Sequence, residues 1–206
     1  MRLRLPRVSD AYRLAWRGAR HLPGSLGYGL AHAVADMAWA WHRLRPTTGV
    51  GQLERNFSRL LPPGTPPRAL RRITRAGLRS YTRYFYEVFA LPGFTPDQIL
   101  ARVRADVDPQ LHEDVRRGSV VIALPHMGNW DLIGAWACRE LATVLTVVER
   151  LKPDDLFEQF VVFREGMGMR IIGQAHGEKV FDCLLEAASQ GRYVVAFLAD
   201  RDLSSA

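Results

Sequence analysis

The residues most capable of chemistry are Pro125-His126-Met127-Gly128-Asn129-Trp130-Asp131, which follow directly on the apolar run Ser119–Leu124 (SVVIAL). A histidine near an aspartate suits proton transfer: the carboxylate holds one ring nitrogen and leaves the other free as a base. The His-x4-Asp spacing restricts where the two can lie. In one continuous helix, residues five apart point about 140° away from each other, at roughly 100° per residue. His126 must therefore sit in a loop, with Asp131 in the first turn of the helix that follows. Gly128 gives such a loop its freedom and Asn129 is a good helix cap. An aspartate in the first turn also suits the positive end of the helix dipole.

The surrounding pattern supplies the elements to position that pair. From Thr95 onward, short apolar runs alternate with helical ones. Thr95-Pro96-Asp97-Gln98 reads as a helix start, in which Thr95 caps and Gln98 completes a capping box. Strands are expected at Val103–Val107, Ser119–Leu124, Thr143–Val148, Met169–Ile172 and Tyr193–Leu198. Helices are expected at Pro109–Arg117, Asn129–Leu141, Pro153–Glu165 and Glu178–Gln190. β-branched runs alternating with amphipathic helices indicate an α/β fold with a mainly parallel central sheet flanked by helices. Ligands of such sheets bind at the carboxyl ends of the strands, where the His126 loop falls. A strand running into the charged turn Ala199-Asp200-Arg201-Asp202 is seldom where a domain finishes, so the native protein is expected to continue.

The first part of the chain has a different character. Arg2, Arg4, Arg7, Arg13, Arg17 and Arg20 face a single acid, Asp10, and Leu22–Trp41 holds no Lys or Arg. Pro23, His32 and Asp36 interrupt that stretch, and an acid near mid-membrane is costly. A cleaved signal peptide fits poorly, because no clear small-residue site follows the long basic region. Residues 1–45 therefore read as a helical arm lying on a membrane interface, with arginines at anionic headgroups and Trp16, Trp39 and Trp41 at the boundary. Residues 46–206 form the α/β core. A second arginine-rich helix runs from Pro66-Pro67 to about Ala90, with Arg68, Arg71, Arg72, Arg75, Arg79 and Arg83 at three- and four-residue spacing. That stripe is either a solvated face or an addition to a phosphate-binding surface. The formal net charge is +7, and Lys152 and Lys179 are the only lysines. The arginine bias fits either the codon usage of a GC-rich genome or pairing with phosphate.

The strand and loop Ala123–Asp131 resemble the His-x4-Asp box of bacterial lipid acyltransferases of the lipid A type. Val147–Lys152 is similar to that family's second block, Phe163–Gly168 to its arginine-containing block, and Ala199–Asp202 to its later acidic motif. The arginine-rich composition and the run Leu198–Ser205 look most like the actinobacterial phosphatidylinositol mannoside acyltransferases. The acid at position 200 is glutamate in some relatives. The resemblance implies transfer of a long-chain acyl group from acyl-CoA, a co-substrate, to a sugar hydroxyl of a glycolipid. It implies His126 as general base, Asp131 orienting the ring, and Asp200 as a second candidate partner. It also implies that Glu149, Arg164, Arg201 and Asp202 grip the headgroup; Glu149 and Arg164 read alternatively as an ion pair bracing two loops. The implied partners are acyl-CoA, a phosphatidylinositol mannoside-like acceptor and an anionic membrane surface, with no cofactor. The implied location is peripheral, at the cytoplasmic face of the plasma membrane.

Other chemistries find little support. No Gly-x-Ser-x-Gly elbow is present and neither Cys138 nor Cys183 adjoins the histidine motif. Both cysteines read as small buried hydrophobes. His21, His32, His42, His112 and His176 show no metal-ligand spacing. Nucleic acid would favour aromatics interleaved with the basic stripe, whereas here they share its apolar face. A basic binding module with a dispensable His126 and an acyl-CoA thioesterase are the competing readings.

Overall fold

The computed structural model describes residues 8–45, 47–150, 152–175 and 178–200. Along them run α1 (Val8–Ala19), α2 (Gly24–Leu44), α3 (Thr48–Leu60), α4 (Pro67–Ala90), α5 (Pro96–Leu100), α6 (Pro109–Arg117), β1 (Val120–Leu124), α7 (Trp130–Glu140), β2 (Val144–Glu149), α8 (Asp154–Gly166), β3 (Arg170–Gln174), α9 (Phe181–Gln190) and β4 (Val194–Leu198). The chain divides into two compact units: residues up to Arg20 together with those from Leu91 onward, and His21–Ala90. The arm expected over residues 1–45 is thus split between them. The split follows from side chains: α1 aims Tyr12 and Trp16 at Phe160 of α8, whereas α2 offers a small-residue face to α4.

In the first unit the sheet has the order β1-β4-β2-β3, every neighbouring pair parallel. Residues alternate faces along a strand, so the two sides of the sheet divide cleanly. Leu145 and Val195 point to one side, where Leu184 and Ala187 of α9 seal them with Val147 and Phe197. Ile122, Val144, Thr146 and Ala196 point to the other and line a cavity shared with α7. The expected capping box at Thr95 is present, with both reciprocal hydrogen bonds made. The strand expected at Val103–Val107 is not: the segment is irregular. Charges at Arg104 and Asp106 interrupt its apolar run, and Asp108 instead caps α6 by accepting from the Gln110 N–H.

In the second unit α2 buries Gly27, Ala31 and Ala35. At Gly27 a Cβ would meet ring atoms of Tyr86 at about 2 Å, so only glycine lets α4 approach there. Asp36, read from the sequence as an obstacle to membrane insertion, accepts from both Arg75 and Arg79 of α4, at 2.7 Å and 2.5 Å to the same carboxylate oxygen. Those two arginines are engaged within the molecule, which subtracts them from the phosphate surface considered above. His42 is buried between α2 and α3, its Nδ1 accepting from the Thr47 N–H at 2.8 Å. Beside that face α2 exposes Leu26, Leu30, Val34, Met37, Trp41 and Leu44. No described helix is long and apolar enough to cross a membrane. The cysteines depart from expectation: Cys183 is exposed on α9 and Cys138 is only partly buried, because both lie on amphipathic helices away from the sealed face.

Candidate active site

Strand register brings the central residues together. Leu124 at the end of β1 lies opposite Leu198 at the end of β4, and the Ala199 N–H still donates to the Leu124 carbonyl at 2.9 Å. His126 and Asp200 each stand two residues beyond that pair. They emerge side by side although 74 positions apart in sequence. The ring Nδ1 lies 2.6 Å from Asp200 Oδ1, and the His126 backbone N–H donates to Asp200 Oδ2 at 2.9 Å. The hydrogen bond from the ring, followed by that backbone N–H, holds the Asp200 carboxyl below its ordinary value. An ionised carboxylate only accepts, so Nδ1 is the donor to it and Nε2 is the ring nitrogen left to face a substrate. The two side chains are 34% and 41% exposed, open enough to meet a substrate.

Asp131 sits where the spacing requires, in the first turn of α7, but it serves a different partner. Its carboxylate accepts from Arg164 Nε at 3.0 Å, and the two side chains are 0% and 7% exposed. The guanidinium is stacked between Trp130, 4.3 Å from its ring centre, and Phe160, at 5.3 Å. Arg164 thus braces α8 against the start of α7. The sequence left open a brace between Arg164 and Glu149; the partner is Asp131 instead. Asn129 caps α7 by accepting from the Leu132 N–H at 3.0 Å. Gly128 takes φ +65°, a conformation side chains seldom adopt, and this turns the chain from the His126 loop into that cap.

Glu149 is exposed at the carboxyl end of β2, on the rim of the cavity that holds His126. That cavity measures about 1140 Å³, and Ile122, Leu124, Ile133, Trp136 and Ala137 give it apolar walls. Arg201 and Asp202 lie outside the described residues, as do Arg2, Arg4, Arg7 and His176. Among the described residues no group of three or more His, Cys, Asp or Glu side chains is disposed to hold a metal ion. The roles of Trp130 and Phe160 were not read from the sequence. The signal for Phe160 is its place four residues before Arg164 on one helix face.

Comparison with known proteins agrees with the resemblance drawn from the motifs. The family model described as "Bacterial lipid A biosynthesis acyltransferase" matches residues 2–206. The chain is 35% identical over 203 residues to a phosphatidylinositol mannoside acyltransferase of Mycolicibacterium smegmatis, covering 96% of this chain and 63% of that protein. It is 34% identical over 199 residues to the protein of the same name from Mycobacterium tuberculosis, covering 94% and 60%. The chain therefore spans about three fifths of the length of the curated relatives it matches. It belongs to the bacterial lipid A biosynthesis acyltransferase family.

Proposed function

We propose that the protein moves a long-chain acyl group from acyl-CoA to a sugar hydroxyl of a glycolipid, the mannose of a phosphatidylinositol mannoside. One observation carries the reading: a histidine oriented by a carboxylate stands at an apolar cavity large enough for a fatty chain. The relatives' names supply the acceptor class by analogy.

His126 Nε2 takes the proton of the attacking hydroxyl as its oxygen bonds to the thioester carbonyl carbon. Asp200 holds the ring by Nδ1 and stabilises the imidazolium. The tetrahedral intermediate carries its negative charge near the start of α7, where backbone N–H groups and the helix dipole favour an oxyanion. Collapse breaks the carbon–sulfur bond, and the imidazolium returns its proton to the departing CoA thiolate. A thioester already has a good leaving group, so no covalent enzyme intermediate is needed. Glu149 on the rim accepts hydrogen bonds from sugar hydroxyls. Arg164 is too enclosed in its ion pair to grip a headgroup directly, and acts by holding Asp131 and the start of α7.

The same reading places the protein at the cytoplasmic face of the plasma membrane. The outward face of α2 supports this: six large apolar side chains lie along it, while its one acid is neutralised by Arg75 and Arg79. A helix so divided rests in an interface with its apolar face among acyl chains.

The test is release of free CoA from palmitoyl-CoA, with and without a mannosylated phosphatidylinositol, by wild type and H126A. Acceptor-dependent release that disappears in H126A is expected. The exposure of the His126–Asp200 pair also favours a second reading, activation of water. Release that needs His126 but not the acceptor would make the protein a thioesterase, and no release by either protein would leave a binding module.

A further inference from the structure

We infer that Trp16 of α1 is a positioning residue for the His126 loop, acting through Phe160 and Arg164. The inference rests on the acyltransferase reading above and extends it to an element that touches none of the reacting groups. α1 is docked on α8 by the Ser9 hydroxyl, which donates to Asp155 Oδ2 at 2.5 Å. Two turns later Trp16 meets Phe160 edge-on, with ring centres 5.0 Å apart and planes at 75°, and Phe163 at 5.6 Å. Phe160 is the rear wall of the Arg164 guanidinium, and Trp130 is its front wall. Arg164 in turn holds Asp131, and Trp130 and Asp131 are the first two residues of α7.

The contacts form a continuous stack from α1 to the helix start that follows His126: Trp16, Phe160, Arg164, and then Asp131 with Trp130. Each layer is fixed by the one behind it. Phe160 and Arg164 are four residues apart on α8 and so share a face. If Trp16 is removed, Phe160 loses a packed aromatic partner and can tip away from the guanidinium. The guanidinium that donates to Asp131 is then less firmly held, and the start of α7 gains freedom. His126 lies only five residues before Asp131, with a glycine between, so looseness at the helix start becomes looseness of the base. Small displacements of a catalytic group are costly in rate, up to about a hundredfold for ~1 Å.

The experiment compares wild type with W16A, W16F and F160L in the CoA-release assay, with the melting temperature of each recorded. W16A is expected to lower kcat roughly tenfold or more, with KM for palmitoyl-CoA nearly unchanged and W16F restoring most of the rate. Amide hydrogen exchange provides a readout independent of turnover. In folded W16A, residues 126–132 should exchange faster while β4 exchanges as in wild type. Wild-type kcat in a folded W16A, or unchanged exchange over 126–132, overturns the inference. Inactive wild type with faster exchange in W16A would instead remove the acyltransferase reading and leave the mechanical link standing.

Discussion

His126 and Asp200 meet at 2.6 Å with 34% and 41% of their side chains open to solvent, whereas Arg164 and Asp131 meet at 3.0 Å with 7% and 0%. The two pairs lie on either side of one turn, from Pro125 to Asn129, and both join a carboxylate to a nitrogen base. Their surroundings assign them opposite work. The open pair leaves a ring nitrogen facing solvent, where the proposed reaction has it take a proton from substrate. The closed pair is stacked between Trp130 and Phe160 and bound to one geometry. The aspartate of the His-x4-Asp spacing thus pairs with Arg164, and an acid 74 residues from His126 is the one that meets its ring; in the proposed reaction that acid orients the base.

The contrast can be broken from its buried side first. R164M removes the guanidinium that meets the buried Asp131 carboxylate and should cost about 3–5 kcal/mol of stability, read by chemical denaturation. Combining it with D131L removes both charges and should recover most of that loss. Activity should stay low in the double variant, because the start of α7 is no longer held. Recovery of activity together with stability would show that the pair has no positioning role.

The second unit repeats the contrast between the two faces of α2, and there the effects are smaller. L30D and M37D on the exposed face should each weaken binding to anionic vesicles about tenfold, as expected for an apolar side chain no longer buried in lipid. Their melting temperatures should stay near wild type, and added salt should weaken wild-type binding. Binding unaffected by either substitution would remove α2 from the interface.

Smallest is the effect of the Asp36 clasp, which is partly open to water. Hydrogen bonds from Arg75 and Arg79 hold the Asp36 carboxyl far below its ordinary value. A carboxyl lowered in the folded state adds stability above its unfolded value of about 3.9, and that stability is lost as pH falls through the lowered value. Wild type should therefore melt above D36N at neutral pH, and the gap should close as the solution is acidified below about pH 4. A gap that widened with acid would contradict the pairing. Asp200 has the same sign, so the small difference in melting between wild type and D200N should shrink in the same direction.

The sequence exposed some of this arrangement and hid the rest for definite reasons. The Asn129 cap, the Thr95 capping box and the strand preceding His126 are local, and residue type and spacing reveal them. Neighbouring strands are not local. Consecutive strands usually pair, which would set β2 beside β1, yet β4 is inserted between them and carries Asp200 to His126. The motif at Ala199–Asp202 marked Asp200 as a candidate, but only the register of Leu124 with Leu198 shows why it faces the ring. The allegiance of α1 was hidden similarly. An amphipathic helix with tryptophan fits a membrane or a neighbouring helix equally well, and the aromatics that receive Trp16 lie more than 140 residues away, at Phe160 and Phe163.

The division of labour between the two pairs is tested most directly by D200N and D131N side by side, with kcat for acceptor-dependent CoA release and the melting temperature measured for each. D200N should lose at least about a hundredfold in kcat, the scale of general-base catalysis, while melting close to wild type. D131N should lose stability first, as expected when a buried partner of Arg164 is removed. A fully active D200N, or a D131N that melts like wild type but has lost its activity, would contradict the assignment of proton transfer to the His126–Asp200 pair.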